Sequence, residues 1–120
     1  MEDTQARVRF ECSEPILCVE NMQASLQFYV NGLGFQNAPW GSKEFTHVSR
    51  DRAGIYLCKS GQGSGGAWPG SAWKTSKGFT RNTKARGVVI RMAPTNYPWA
   101  LEMHIEDSHG NVLRLGSEPK

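Results

Sequence analysis

The 120-residue sequence contains no long apolar run. Its apolar stretches are only a few residues each, far below the roughly 20 that a membrane-crossing helix needs, so no segment is expected to span a membrane. Cysteine is scarce: Cys12, Cys18 and Cys58 form an odd set with no C-x-x-C spacing. That pattern argues against a disulfide framework and against a structural zinc site. Cys18 and Cys58 lie inside apolar, strand-like runs and read as small buried hydrophobes. There is no glycine-rich phosphate loop, no serine elbow and no activated-cysteine signature. The amino-terminal stretch MEDTQARVRFE lacks the apolar core of a signal peptide, which leaves the cytoplasm as the expected compartment. Acid is missing from one region. Lys74, Lys77, Arg81, Lys84 and Arg86 fall in a run without Asp or Glu. Such a run could meet phosphates, but it carries no nucleic-acid motif. It reads as a solvated face, and nucleic acid is not an expected partner.

What is present fits one globular domain. Hydrophobic residues make up 38% and charged residues 21%, with a formal net charge of +3, and 120 residues can bury one core or two small modules sharing one. PILCV, residues 15–19, reads as a buried strand. Asn21 then offers a helix cap, Met22, Leu26, Tyr29, Val30 and Leu33 follow at helical spacing, and Gly34 sits where a helix end favours a left-handed residue. A helix over 22–33 is expected. Strands are expected over 35–39, 44–49 and 53–59, separated by turn signals. The glycine- and serine-rich stretch 60–71 reads as a flexible linker, and 60–83 as the most mobile part of the chain. GVVIRM, residues 87–92, is strand-like, followed by the turn-rich APTNYP. The chain closes on LEMHIEDSHGNVLRLG, a hairpin turning at Asp107–Gly110.

These residues resemble a known family. EPILCVENMQASLQFYVNGLGF is similar to the opening of the vicinal-oxygen-chelate superfamily, the glyoxalase/bleomycin-resistance proteins, through Ser25, Phe28, Tyr29, Leu33, Gly34 and Phe35. The closing EMHIEDSHGNVLRLG resembles that family's second signature through Glu102, Asp107, Gly110, Asn111 and Leu113. Ser108 and His109 depart from its usual Pro-Asp. The resemblance implies an α+β fold of two βαβββ modules that enclose a cleft. Module one would cover about 8–59 and module two about 72–117. It also implies a homodimer. KARGV, residues 84–88, resembles the end of the second module's helix, but residues 73–84 show neither strand nor helix periodicity, and Gly78 weakens a helix there. The second module is therefore expected to be abbreviated at its first strand or its helix.

Catalytic members of the superfamily hold a divalent cation at four positions, filled by His, Glu or Gln. Carried over residue by residue, these positions fall on Glu14, Tyr56, Ala72 or Trp73, and Arg114. Only Glu14 could ligate. Arg114 would set a permanent positive charge beside the ion, and at about 4 Å that repulsion costs roughly 4 kcal/mol at an effective dielectric of about 20. No metal and no other cofactor is expected.

Strand alternation sends Leu101, Met103 and Ile105 to the core and Glu102 and His104 to the opposite face, facing cleft or solvent. A His–carboxylate pair could serve acid–base chemistry or simply bond its neighbours. His47 is equally ambiguous. Trp40, Trp68, Trp73 and Trp99 all stand beside turns, where aromatics suit stacking on a flat ligand. The expected function is metal-free binding of an aromatic or charged small organic molecule, as in drug-sequestering, antibiotic-resistance members of the family. Glu14, His47, Tyr56, Trp73, Trp99, Glu102, His104 and Arg114 are its candidate contacts. The alternative is a metal-dependent lyase, isomerase or dioxygenase that uses Glu14 with His47 or His104.

Overall fold

The computed structural model describes residue 8 and residues 12–59, 66–73 and 78–118. Two βαβββ units follow one another. The first comprises β1 (Ile16–Cys18), α1 (Met22–Leu26) running into a π-helical turn (Gln27–Gly32), β2 (Gln36–Asn37), β3 (Phe45–Arg50) and β4 (Ala53–Cys58). The second comprises β5 (Gly70–Ala72), α2 (Phe79–Ala85), β6 (Val89–Asn96), β7 (Leu101–Glu106) and β8 (Val112–Ser117). Each unit builds a four-stranded sheet with the same connectivity, β1-β4-β3-β2 and β5-β8-β7-β6. In each, the first strand runs parallel to the last and every other pairing is antiparallel. The result is the expected α+β architecture. Among the described residues no helix is long and apolar enough to cross a membrane.

Local chemistry accounts for the first helix. The Asn21 side chain accepts from the Ala24 N–H at 3.0 Å, satisfying one of the donors that a helix start leaves open. At the far end Gly34 takes the left-handed φ of +77°. Between them the helix widens to π geometry, with Leu33 N–H reaching Phe28 C=O and Phe35 N–H reaching beyond it to Tyr29 C=O. Tyr29 is thereby placed fully inside the core.

One buried cluster serves both modules. Leu17, Leu57 and Val48 from the first sheet meet Met103, Ile105 and Leu113 from the second, with Met22, Tyr29 and Leu33 of the helical segment between them. The seam also carries polar staples. Tyr29 donates its hydroxyl hydrogen to Asp107 at 2.9 Å. Asp107 also accepts from Asn111 Nδ2 and from the backbone N–H groups of His109 and Asn111. Burial, with the Asp107 charge and hydrogen bond beside it, pushes the Tyr29 phenol far above its ordinary range. Across the same seam Asn21 N–H donates to His109 Nε2 at 3.0 Å.

The second module departs from expectation in three places. Residues 66–72 are held as structure despite their linker-like composition. Ala67 C=O accepts from Val112 N–H, Pro69 C=O accepts from Arg114 N–H, and β5 begins at Gly70, two residues before the expected start of the module. Backbone pairing to β8, which composition does not report, holds this segment. Residues 60–65 and 74–77, which include Lys74 and Lys77, lie outside the described residues. Residues 79–85 do form a helix. Gly78 precedes it at φ +88° instead of interrupting it, and Thr83 is buried while Phe79 packs against the core. This helix is shorter than the continuous helical segment 22–32 of the first module, as expected, whereas β5 matches β1 in length. Finally, β6 continues through Pro94 to Asn96, where a turn was expected. It lies at the sheet edge and its register shifts twice, conditions under which a strand tolerates proline.

Candidate functional site

Pairing register sets the two modules into correspondence. Ile16 pairs with Tyr56, and Gly70 pairs with Arg114. His47 lies opposite Tyr56, and His104 opposite Arg114. The Pro15 carbonyl accepts from Tyr56 N–H at 2.9 Å, and the Pro69 carbonyl accepts from Arg114 N–H at 3.0 Å. Glu14, His47 and Tyr56 in the first module therefore correspond to Trp68, His104 and Arg114 in the second. All six sit on the faces their sheets turn away from the shared core.

On the second sheet these residues gather around Glu102. Arg114 grips its carboxylate with both arms, Nε to Oε1 at 2.9 Å and Nη2 to Oε2 at 2.8 Å. Trp99 donates its indole N–H to Oε2 at 2.6 Å, and His104 approaches Oε1 with Nε2 at 3.2 Å. A carboxylate in this setting only accepts, so His104 carries its proton on Nε2. These bonds, that from Arg114 foremost, lower the Glu102 carboxyl from its ordinary range to about 2, against the opposing effect of burial. The Arg114 guanidinium is in turn raised above its ordinary value by Glu102. Aromatic rings frame the group. Trp99 stacks on Tyr97 at 4.7 Å, Trp68 meets His104 edge-on at 5.4 Å, and the Arg91 guanidinium lies 5.2 Å from the Trp68 ring centroid.

The first sheet carries a different set. Trp40, Phe45 and Tyr56 stack in a row, with neighbouring centroids 6.2 and 5.5 Å apart, and the His47 ring lies 4.6 Å beyond Tyr56. His47 Nε2 donates to Glu14 Oε1 at 3.0 Å. This pair rests directly on Gly54. A Cβ there would collide with the Glu14 carboxylate and lie 2.6 Å from His47 Nε2, so the missing side chain makes the room.

The candidate contacts thus divide into two groups. Glu14, His47 and Tyr56 share one face, and Trp99, Glu102, His104 and Arg114 share the other. Among the described residues no hydrogen bond, ion pair or ring contact joins them. Trp73 belongs to neither. Its N–H bonds the Gly116 carbonyl as that of Val19 bonds Cys58, which places it on the core side, where it meets Phe79 edge-on at 5.4 Å. The residue that stands where Ala72 or Trp73 was expected is Trp68. The signal for it was present as a repeat, Glu14-Pro15 ahead of β1 and Trp68-Pro69 ahead of β5. Phe45, Arg91 and Tyr97 were missed, because their roles arise from the rings that strand pairing and turns bring beside them.

A divalent cation does not fit these residues. The four corresponding positions hold Glu14, Tyr56, Trp68 and Arg114, one ordinary ligand among them. Glu102 has both oxygens committed to hydrogen-bond donors. Among the described residues no three His, Cys, Asp or Glu side chains converge as a metal-binding group.

No protein-family model matches the sequence, and no curated protein matches it. Solved structures do. TnmS3, an antibiotic binding protein from Streptomyces sp. CB03234, superposes with a TM-score of 0.75 at 19% identity, covering 92% of this chain and 98% of that one. A glyoxalase/bleomycin resistance protein from the same organism gives 0.70 at 21% identity, over 87% and 99% of the two chains. A glyoxalase/bleomycin resistance protein/dioxygenase from Nocardioides gives 0.69 at 14% identity, over 97% and 90%. At these identities the likeness concerns the backbone. Together with the paired sheets and the matching registers of the two modules, it leads to one conclusion: the chain has the glyoxalase/bleomycin-resistance fold.

Proposed function

We propose that the protein binds a small organic molecule without a resident metal, in the manner of a drug-sequestering protein. The observation that carries this reading is the pair of aromatic, polar outer faces. Trp40, Trp68 and Trp99 are 61%, 50% and 63% exposed, the first over the Phe45 ring and the other two beside side chains already locked into hydrogen bonds. Exposed indoles over a rigid polar base suit a flat ligand, and exposure on this scale is costly unless something covers it. The likeness to an antibiotic binding protein supports the same reading.

Each face carries exposed rings, and among the described residues no hydrogen bond, ion pair or ring contact joins the two within one chain. We therefore propose a homodimer in which the first sheet of one copy closes over the second sheet of its partner. Light scattering at tens of micromolar should give the mass of two chains; a monomer would count against the arrangement. An odd count of three cysteines with no C-x-x-C spacing suits a reducing compartment, and we propose the cytoplasm.

The test of binding is thermal stabilisation across a panel of aromatic natural products and antibiotics. A true ligand raises the melting temperature in proportion to the logarithm of its concentration. Zinc, nickel, manganese and iron should not. The second reading, a metal-dependent enzyme, draws on the Glu14–His47 pair alone. One equivalent of metal per chain, lost on Glu14→Ala, would make it the better one.

A further inference from the structure

The second sheet's face is more selective than a generic aromatic platform. Glu102 is only 4% exposed, and its two oxygens accept four hydrogen bonds, from Arg114 twice, from Trp99 and from His104. A carboxylate has about four such acceptor sites, so this one has nothing left to offer a ligand. The groups that remain are donors and rings. The Arg114 side chain is 53% exposed, and among the described residues its Nη1 has no hydrogen-bond partner. Trp99 has Tyr97 stacked on one face and its indole N–H tied to Glu102, with the rest of the ring turned outward.

The same carboxylate therefore anchors a planar cation and a flat aromatic ring side by side. Neither needs ordering when a ligand arrives, which lowers the entropic cost of binding. Arg91, itself paired with Glu106 at 2.7 Å, adds a second guanidinium over Trp68. A cationic ring would approach two guanidinium groups, and among the described residues the carboxylates on this face, Glu102 and Glu106, are already paired with them. A neutral ring would stack but leave the Arg114 donors unused. An aromatic ring carrying an anionic group uses both, since a guanidinium presents planar donors matched to a carboxylate.

We propose that the ligand class is a planar aromatic anion, its ring on Trp99 and its negative group on Arg114. This rests on the binding reading above and sharpens it. The experiment titrates the full chain with three matched probes, 2-naphthoate, 2-naphthylmethanol and 2-naphthylmethylammonium, followed by calorimetry and by tryptophan fluorescence. Naphthoate should bind about tenfold tighter than the alcohol, the worth of one charge-assisted hydrogen bond, and the ammonium should bind weakest. Arg114→Gln should erase the preference for naphthoate and leave the alcohol within about twofold of wild type. Trp99→Ala, at an exposed position, should weaken all three probes together. Equal or tighter binding of the alcohol or the ammonium overturns the inference, as does a naphthoate preference that survives Arg114→Gln. Failure of all three probes to bind also overturns it, while the wider panel still judges whether the protein binds small molecules at all. Should Arg114→Gln not fold, the wild-type ranking of the three probes decides the matter.

Discussion

In the first module Glu14, His47 and Tyr56 occupy the backbone positions that Trp68, His104 and Arg114 occupy in the second. Only the histidine is shared. The strands beneath are paired alike, down to the proline carbonyl that accepts from Tyr56 or Arg114. The core-facing side chains are alike too, with Val48 and Ile105 at one corresponding position, Ile55 and Leu113 at another. Outer side chains can change charge without disturbing the core, so one architecture carries an aromatic row with a His–carboxylate pair on one side and an arginine-clamped carboxylate on the other. The difference teaches that the fold resides in register and core, which leaves the outer faces free to diverge.

Packing offers the hardest test of that correspondence. Leu57 and Leu115 occupy matching places in β4 and β8, yet Leu57 is fully buried and Leu115 only partly so. Leu57→Ala should cost about 2–5 kcal/mol and Leu115→Ala clearly less, roughly 1 kcal/mol, in denaturant titrations. Equal costs would mean that the two halves of the core are packed alike after all. Next in size is the seam that both modules share. Tyr29→Phe removes the hydroxyl that bonds Asp107 in a buried setting and should cost about 1–3 kcal/mol. A loss confined to one module, seen as two separate unfolding transitions, would show that the seam does not couple them.

Much of this architecture is legible in local chemistry. Asn21 announces a cap, Gly34 a helix end, and Asp107 to Asn111 a turn whose side chains bond its own backbone. The motif residues that carry the family resemblance, Tyr29, Asp107 and Asn111 among them, prove to be staples of the seam, which is why they report fold more than activity. Of the second helix only the end, at KARGV, was legible, because its body reaches the core through Phe79 and Thr83, one turn apart, too little for a visible period. Residues 66–72 were misread because their order comes from pairing to a strand some forty residues on. The outward placement of Glu102 and His104 followed from alternation along β7. Trp68 did not, since its place depends on where β5 starts.

Acid separates the two faces next. Glu102 is held at about 2 against an ordinary 4.5, so it binds its proton less readily in the folded chain than in the unfolded one. A carboxyl group shifted downward stabilises the fold while ionised. Its contribution is complete above about pH 4.5 and is lost as the pH falls from there through about 2. Denaturant titrations of wild type and Glu102→Gln should differ by a constant amount between about pH 7 and 5, and converge below about 4.5. A gap that stays flat down to about pH 2 would show that the arginine clamp does not hold this carboxylate.

The smallest effect concerns the corresponding pair on the first sheet. Glu14 and His47 meet at 3.0 Å, but their side chains remain 27% and 20% exposed, so water screens what they exchange. A double-mutant cycle with Glu14→Gln and His47→Gln should give a coupling of only about 0.2–1 kcal/mol. Gly54→Ala provides an independent probe, because its Cβ would enter the space that the pair occupies and push the carboxylate off the imidazole. If the pair exists for packing alone, Gly54→Ala should cost stability without altering ligand affinity. If Glu14 and His47 line the other wall of a cleft shared between two copies, Gly54→Ala should also weaken a ligand that sits on Trp99 of the partner subunit. Ligand affinity unchanged in a folded, dimeric Gly54→Ala protein would confine recognition to the second sheet.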